Sequence, residues 1–371
     1  MKKYILSIDQ GTTSSRVIIF DEDINIVSIA QKEYPSYYPE PGWVEQNADE
    51  IYSSVVAVLY EALAKGGLKL SDISAIGISN QRETTIVWDK ETGKPVYFAL
   101  VWQSRQTSDL CDAMKARGVE EKIKETTGLL IDSYFSSSKI RWILDKIPDG
   151  QKRAENGELL CGTVDSWLTY KLTNQQVHVT DVSNASRTQL MNLRTLQWDK
   201  EMCDLWNIPM CMLPEIKSNA EVYGTTCKEM FGAEVPIASL VGDQQASLFG
   251  QACFKEGDVK NTYGTGCFLL MNIGQKPKAS KNGLVTTVAW KVKDQVNYAF
   301  EGSVFVAGAA IQWLRDGIKL VKTAPESEAH ARAVKDTDGV YVVPAFVGLG
   351  APYWDSDIKG AIFGLTRGTN Q

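Results

Sequence analysis

Asp9, Gly11, Thr12, Thr13, Ser14 and Arg16 fall within the short run Asp9-Gln-Gly-Thr-Thr-Ser-Ser-Arg16, and together they have the chemistry to grip a phosphate. Gly11 lets the backbone come close to an anion. Thr12, Thr13 and Ser14 offer hydroxyl and amide donors, Arg16 adds a fixed positive charge, and Asp9 can hold Mg²⁺ through water. The run has no Lys, and no G-x-x-x-x-G-K-[ST] occurs in the chain, which excludes a Walker loop and favours a nucleotide held between strands. The same residues also read as a plain β-hairpin with a Gly-Thr turn.

A second set of residues could act on an alcohol. Asp243, in Gly242-Asp-Gln-Gln, falls where an apolar strand from Pro236 gives way to an amphipathic helix. A helix N-terminus favours the ionised carboxylate, which suits proton removal from a hydroxyl or a share in holding Mg²⁺. A simple helix cap is the alternative. Arg82 and Glu83, adjacent and of opposite charge at a strand end, can together satisfy vicinal hydroxyls, or can form an ordinary surface ion pair. Trp102 and Phe268 could pack the carbon side of a small polyol and Tyr134 could add a phenolic hydroxyl, although aromatics beside strands are commonly core. Gly308 and Gln312, four apart in a segment that reads as one helix from Ser303 to Arg315, share a face with room for a nucleotide; a close helix contact explains Gly308 equally well. His178 has no catalytic partner nearby and reads as structural.

The elements that position these groups follow from pattern. Residues 4–20 read as two apolar strands around the Gly-Thr turn. Pro35, Pro39, Pro41 and Gly42 mark a connection to a helix with Asn47 as N-cap, Glu50 as its capping-box partner, Ile51, Val55, Val58 and Ala62 as its apolar stripe, and Gly66-Gly67 as its stop. Ile73 to Ser79 reads as a strand delivering Asn80-Gln-Arg-Glu-Thr-Thr85 into a loop. Strands and helices alternate, which is an α/β organisation. Asn261 to Asn272, with Thr265 and Gly266 in its turn, echoes the first hairpin and suggests two related halves with a nucleotide between them. Residues 340–346 and 360–365 read as strands, and 366–371 as the lead-in to a helix.

The 371 residues exceed what one core usually organises, so two domains are expected. A formal charge of −6, with Lys and Arg dispersed, leaves no basic footprint for nucleic acid. No stretch is long and apolar enough to insert in a membrane. Seven Cys without a C-x-x-C pair, and two His, read as reduced cytoplasmic thiols and not as a zinc site.

Taken in order, Asp9 to Arg16, Gly42-Trp-Val-Glu-Gln46, Asn80 to Thr85, Val101-Trp-Gln103, Gly162-Thr-Val-Asp-Ser-Trp167, Asp181 to Arg187, Gly242-Asp-Gln-Gln245, Asn261 to Gly266 and Gly348 to Trp354 closely resemble the bacterial glycerol kinases of the FGGY carbohydrate kinase family. The resemblance covers essentially the whole chain, and the block at 80–85 is what narrows it to glycerol. It implies two ribonuclease H-like domains of the actin and hexokinase type with a cleft between them: 1–252, carrying the polyol site, phosphate hairpin and catalytic Asp, and 253–371, nucleotide-binding. Family members continue past the position of Gln371, so the second domain is expected to be incomplete. The resemblance further implies ATP-dependent phosphorylation of glycerol to sn-glycerol 3-phosphate, with Asp243 as general base. Arg82, Glu83, Tyr134, Asp243 and Gln244 would bond glycerol and Trp102 and Phe268 would cover its carbons. Thr12, Thr13, Ser14, Arg16, Thr265 and Gly266 would meet the phosphates of ATP or ADP, Gly308 and Gln312 would lie nearer the nucleoside, and Mg²⁺ would lie near Asp9 and Asp243. A dimer or tetramer is implied for the full-length form. Another FGGY polyol or ketose kinase, or a non-catalytic relic, stands as the alternative.

Overall fold

The computed structural model describes residues 4–355 and 357–369. Strands β1 (Tyr4–Gln10) and β2 (Ser14–Phe20) pair antiparallel with Asp9 opposite Arg16. The Gly11 amide closes the turn on the Ser14 carbonyl at 2.9 Å. Alternation sends Leu6, Ile8, Val17 and Ile19 to one face, where all four are fully buried. That face is covered by α1 (Ala48–Lys65), whose Ile51, Val55, Val58 and Ala62 are buried at the spacing of a single stripe. The Asn47 side chain accepts from the amides of Asp49 and Glu50, as an N-cap does. Glu50 is not spent on a capping box; its carboxylate takes the Tyr37 hydroxyl at 3.0 Å.

Strand Ile73–Asn80 runs parallel beside β1, and Pro236–Gly242 runs parallel beside that. With β3 (Ile26–Glu33) at one edge and Gly224–Thr225 at the other, they form a six-stranded sheet. Three of its strands therefore end together: Gln10 is opposite Asn80, and Asn80 is opposite Gly242. The Gly-Thr turn, the loop holding Arg82 and Glu83, and Asp243 all leave the sheet at this carboxyl edge, the usual ligand edge of an α/β sheet.

A four-stranded antiparallel sheet follows, in the order Val259–Tyr263, Cys267–Gly274, Gln295–Val304, Val285–Val292. Its first hairpin carries the Gly264–Gly266 turn. An apolar cluster that includes Trp102, Tyr134, Phe135, Phe268, Leu270 and Phe305 packs this sheet against the segments around 101–102 and 129–135. The strands read near 340 and 360 form as Tyr341–Val343 and Ala361–Phe363, paired antiparallel. Of the helix lead-in read at 366–371, positions 370 and 371 lie outside the described residues, and 366–369 form a turn.

The helix read from Ser303 to Arg315 is shorter than expected. Ser303 and Val304 complete the strand Gln295–Val304, opposite Phe268 and Cys267, and this ladder satisfies the backbone groups a helix would have used. The α-helix runs only from Gly308 to Gln312 and passes into a π-helical turn, Trp313–Gly317.

Candidate active site

A cavity of about 170 Å³ opens where the two sheets meet, and its wall includes Thr12, Thr13, Arg82, Glu83, Trp102, Tyr134, Asp243, Gln244, Thr265, Gly266 and Phe268. This is smaller than the roughly 300–1,000 Å³ of a drug-sized ligand site. One end is aromatic and the other is made of the two Gly-Thr turns. Trp102 meets Phe268 edge-on at 5.5 Å between ring centroids and Tyr134 at 5.9 Å. The Trp102 indole N–H donates to the Thr12 hydroxyl at 2.9 Å, so the aromatic wall is tied directly to the first turn.

Arg82 and Glu83 are not a surface pair: their side chains are 2% exposed. Glu83 adopts φ 58°, a left-handed conformation that costs a non-glycine residue energy. The turn is held by the Thr84 amide on the Arg82 carbonyl at 2.6 Å and by the Ser136 hydroxyl on the Glu83 carbonyl at 3.2 Å. The Arg82 side chain crosses the end of strand Pro236–Gly242, where a Cβ on Gly242 would come within 2.7 Å of the Arg82 Cδ. Glycine there lets Arg82 Nε lie 3.4 Å from Asp243 Oδ1.

Asp243 is the first residue of the helix Asp243–Gly250, with Gly242 as its cap, so it is not spent as an N-cap. Its Oδ1 accepts the Gln244 amide at 2.7 Å. Loss of solvation among the packed groups pushes its carboxyl up to about 6; Arg82 opposes this, while Glu83 and Asp9 add to it. The side chain is still 31% exposed, so it has access to what the cavity holds. A carboxylate near neutrality beside a cavity is suited to accept a proton.

Asp9 accepts the Ser79 hydroxyl at 3.0 Å. Asp9 and Asp243 offer hard oxygen donors of the kind Mg²⁺ takes, and their charges are close enough to couple. Among the described residues no group of three or more His, Cys, Asp or Glu is placed to hold a metal.

Residues 4–250 match the FGGY family of carbohydrate kinases, N-terminal domain, and residues 259–371 match its C-terminal domain. The chain belongs to the FGGY family of carbohydrate kinases. It is 59% identical over 372 aligned positions to glycerol kinase of Geobacillus kaustophilus and 58% identical to that of Thermus thermophilus, covering all of this chain and 75% of each relative. The crystal structure of Plasmodium falciparum glycerol kinase with ADP superposes with a TM-score of 0.86 at 40% identity, over 99% of this chain and 73% of that one. Gluconate kinase from Lactobacillus acidophilus, at 23% identity and a TM-score of 0.84, shares the fold. The architecture is thus the two-domain, actin- and hexokinase-like α/β fold of FGGY kinases.

Five of the residues expected to take part stand away from the cavity wall of this FGGY kinase. Asp9 lies on β1 behind the turn. Ser14 and Arg16 lie on β2, both bonded to the Gln31 side chain, Arg16 at 2.9 Å. Gly308 packs on the second turn: its amide donates to the Gly264 carbonyl at 2.9 Å, and a Cβ would sit 2.6 Å from that oxygen. Gln312 is exposed.

Besides Thr262 and Gly264, which also line the cavity, four charged or polar groups packed around Arg82 and Gln244 went unassigned in the sequence. Glu301 takes Arg82 at 2.5 and 3.0 Å and Arg187 at 2.8 Å. Arg187, fully buried, also binds Glu83 at 2.6 Å. Gln245 accepts from Arg82 at 3.2 Å. Lys260 donates to the Gln244 amide oxygen and to Thr262, and burial with Arg82 nearby pushes it down to about 8. The available signal was a lone charge inside a strand, as at Glu301 after the run Tyr-Ala-Phe; Lys260, beside Asn261 and Thr262, gave none. Among the described residues His178 bonds no catalytic group; its Nε2 meets the Cys161 carbonyl at 2.9 Å and its ring packs edge-on against Trp88.

Proposed function

We propose that this chain is an ATP-dependent kinase that phosphorylates glycerol at a terminal hydroxyl, giving sn-glycerol 3-phosphate and ADP. The observation that carries this reading is the 3.4 Å approach of Arg82 to Asp243 inside a small cavity with an aromatic wall at one end and two Gly-Thr turns at the other. Relatives that are 58–59% identical and bear the name glycerol kinase support the choice of polyol.

Glycerol lies against Trp102 and Phe268 through its carbons, with its hydroxyls on Arg82, Glu83, Tyr134, Asp243 and Gln244. Asp243 takes the proton of a terminal hydroxyl as that oxygen bonds to the γ-phosphorus. The bond from phosphorus to the bridging oxygen breaks, and its electron pair leaves with ADP. Thr12 and Thr13 from the first turn, and Thr265 and Gly266 from the second, donate to phosphate oxygens, with Ser14 and Arg16 flanking the first turn. Gly308 shapes the second turn, and Gln312 lies on the nucleoside side. Asp9 and Asp243 would hold Mg²⁺, which when bound supplies positive charge against the phosphates. Positioning and fixed donors supply most of the rate.

We place the domain boundary at 252/253, the reaction in the cytoplasm, and the working form as a dimer or tetramer, which sedimentation equilibrium would read. No helix among the described residues is long and apolar enough to cross a membrane. The test of function is ADP release with ATP and Mg²⁺ against a panel of glycerol, erythritol, xylulose and gluconate. Glycerol is expected to give the highest kcat/KM. Preference for a ketose would shift the reading to another FGGY kinase, and release with none of them would contradict it.

A further inference from the structure

We infer that Glu301, from the second sheet, is the positioning residue that aims Arg82 at the polyol, so that the site is assembled only when the two sheets are in contact. This rests on the glycerol reading above and goes beyond it, because Glu301 touches neither the cavity nor the proposed substrate.

Glu301 lies in an inner strand of its four-stranded sheet, between Leu270 and Val285 on the neighbouring strands, and its side chain is fully buried. A carboxylate in such surroundings stays ionised only with close cations. Both cations come from outside this sheet, from segments that precede it in the chain. Arg82 presents Nη1 and Nη2 to the two carboxylate oxygens at 2.5 and 3.0 Å, and Arg187 adds Nη2 at 2.8 Å. The Ser303 hydroxyl donates to the same Oε1 at 2.9 Å. A two-point grip on the outer nitrogens fixes the guanidinium plane as a single contact would not. It leaves the Nε edge toward Asp243, with Nη2 also 3.2 Å from the Tyr134 hydroxyl. Burial alone would raise the Glu301 carboxyl, but Arg187 and Arg82 overcome it and hold it down at about 2. The anion is therefore permanent across the working pH range, and the grip does not titrate away.

The test is calorimetric titration of glycerol into the chain and its Glu301→Gln variant, each also in an Arg82→Lys background, where no fork remains to be aimed. Glu301→Gln is expected to weaken glycerol binding by about 10- to 100-fold in the Arg82 background and by less than about threefold in the Lys background. Equal binding by Glu301→Gln and the unaltered chain overturns the inference alone. Equal losses in both backgrounds do so too, because a merely structural role is indifferent to residue 82. If Glu301→Gln does not fold, Ser303→Ala takes its place: a weakening of about two- to fivefold confined to the Arg82 background supports the inference, and its absence overturns it. If the unaltered chain takes up no glycerol, the functional reading fails and this inference with it.

Discussion

The Nε of Arg82 lies 3.4 Å from Oδ1 of Asp243, although the two residues leave the sheet from different strands. The contact exists because Gly242 has no Cβ, and it brings a permanently charged cation next to a carboxyl held up at about 6. The cation can hold a hydroxyl while the carboxylate deprotonates it.

Gly242→Ala tests how closely this geometry is set. The added methyl would fall 2.7 Å from the Arg82 Cδ and 2.8 Å from its Cγ, while Glu301 anchors the far end of the side chain. Arg82 must shift, and the KM for glycerol is expected to rise about tenfold or more, since displacements near 1 Å are costly at such sites. An unchanged KM would show that Arg82 is not aimed by this contact.

The rate should depend on pH through Asp243. The base works unprotonated, so kcat/KM for glycerol is expected to fall as pH drops through about 6. Lys260 is a cation that lowers the Asp243 carboxyl, so Lys260→Met should move this acid limb to higher pH. A limb that moves down in Lys260→Met contradicts the assignment.

The Trp102 ring lines the cavity while its indole N–H reaches the first turn, so on the proposed reading it serves two subsites. Trp102→Phe keeps an aromatic wall and removes the indole N–H from Thr12, a bond of 2.9 Å. The KM for ATP is expected to rise by about three- to tenfold, the worth of one neutral hydrogen bond, with a smaller change for glycerol. The reverse pattern in steady-state kinetics would detach Trp102 from the phosphate turn.

His178 should make stability, not activity, depend on pH. Burial pushes its imidazole from 6.5 down to about 4, against the Cys161 carbonyl. Between those values the unfolded chain binds a proton that the folded chain does not, so stability falls as pH drops from about 6.5 to 4 and the effect levels off below that. In urea melts, His178→Gln is expected to be less stable than the parent at pH 7 and to close the gap at pH 4.5. A gap that stays constant between the two pH values would refute this.

Local signals made much of this legible. The hairpin at 4–20, the Asn47 cap and the strand-to-helix junction at Asp243 rest on neighbours in sequence, and each forms. The groups behind Arg82 were not legible, because Arg82 and Glu301 are 219 positions apart and only the meeting of two sheets pairs them. The segment after Ser303 misled for a related reason. Its small apolar residues suit a helix, yet pairing with Phe268 and Cys267 holds Ser303 and Val304 in the strand. Arg16 and Ser14 have the right chemistry for phosphate, but they lie on β2 off the cavity wall, with side chains bonded across the strands to Gln31.

The central claim is that Asp243 removes the proton, and glycerol-dependent ADP release by Asp243→Asn tests it most directly. Neutralising a carboxyl that its surroundings already disfavour as an anion should leave the heat-unfolding midpoint at least as high as the parent's. Turnover is expected to fall about 10²- to 10⁴-fold. A folded Asp243→Asn variant that turns over within about threefold of the parent, well short of a general base's usual contribution, would contradict the account.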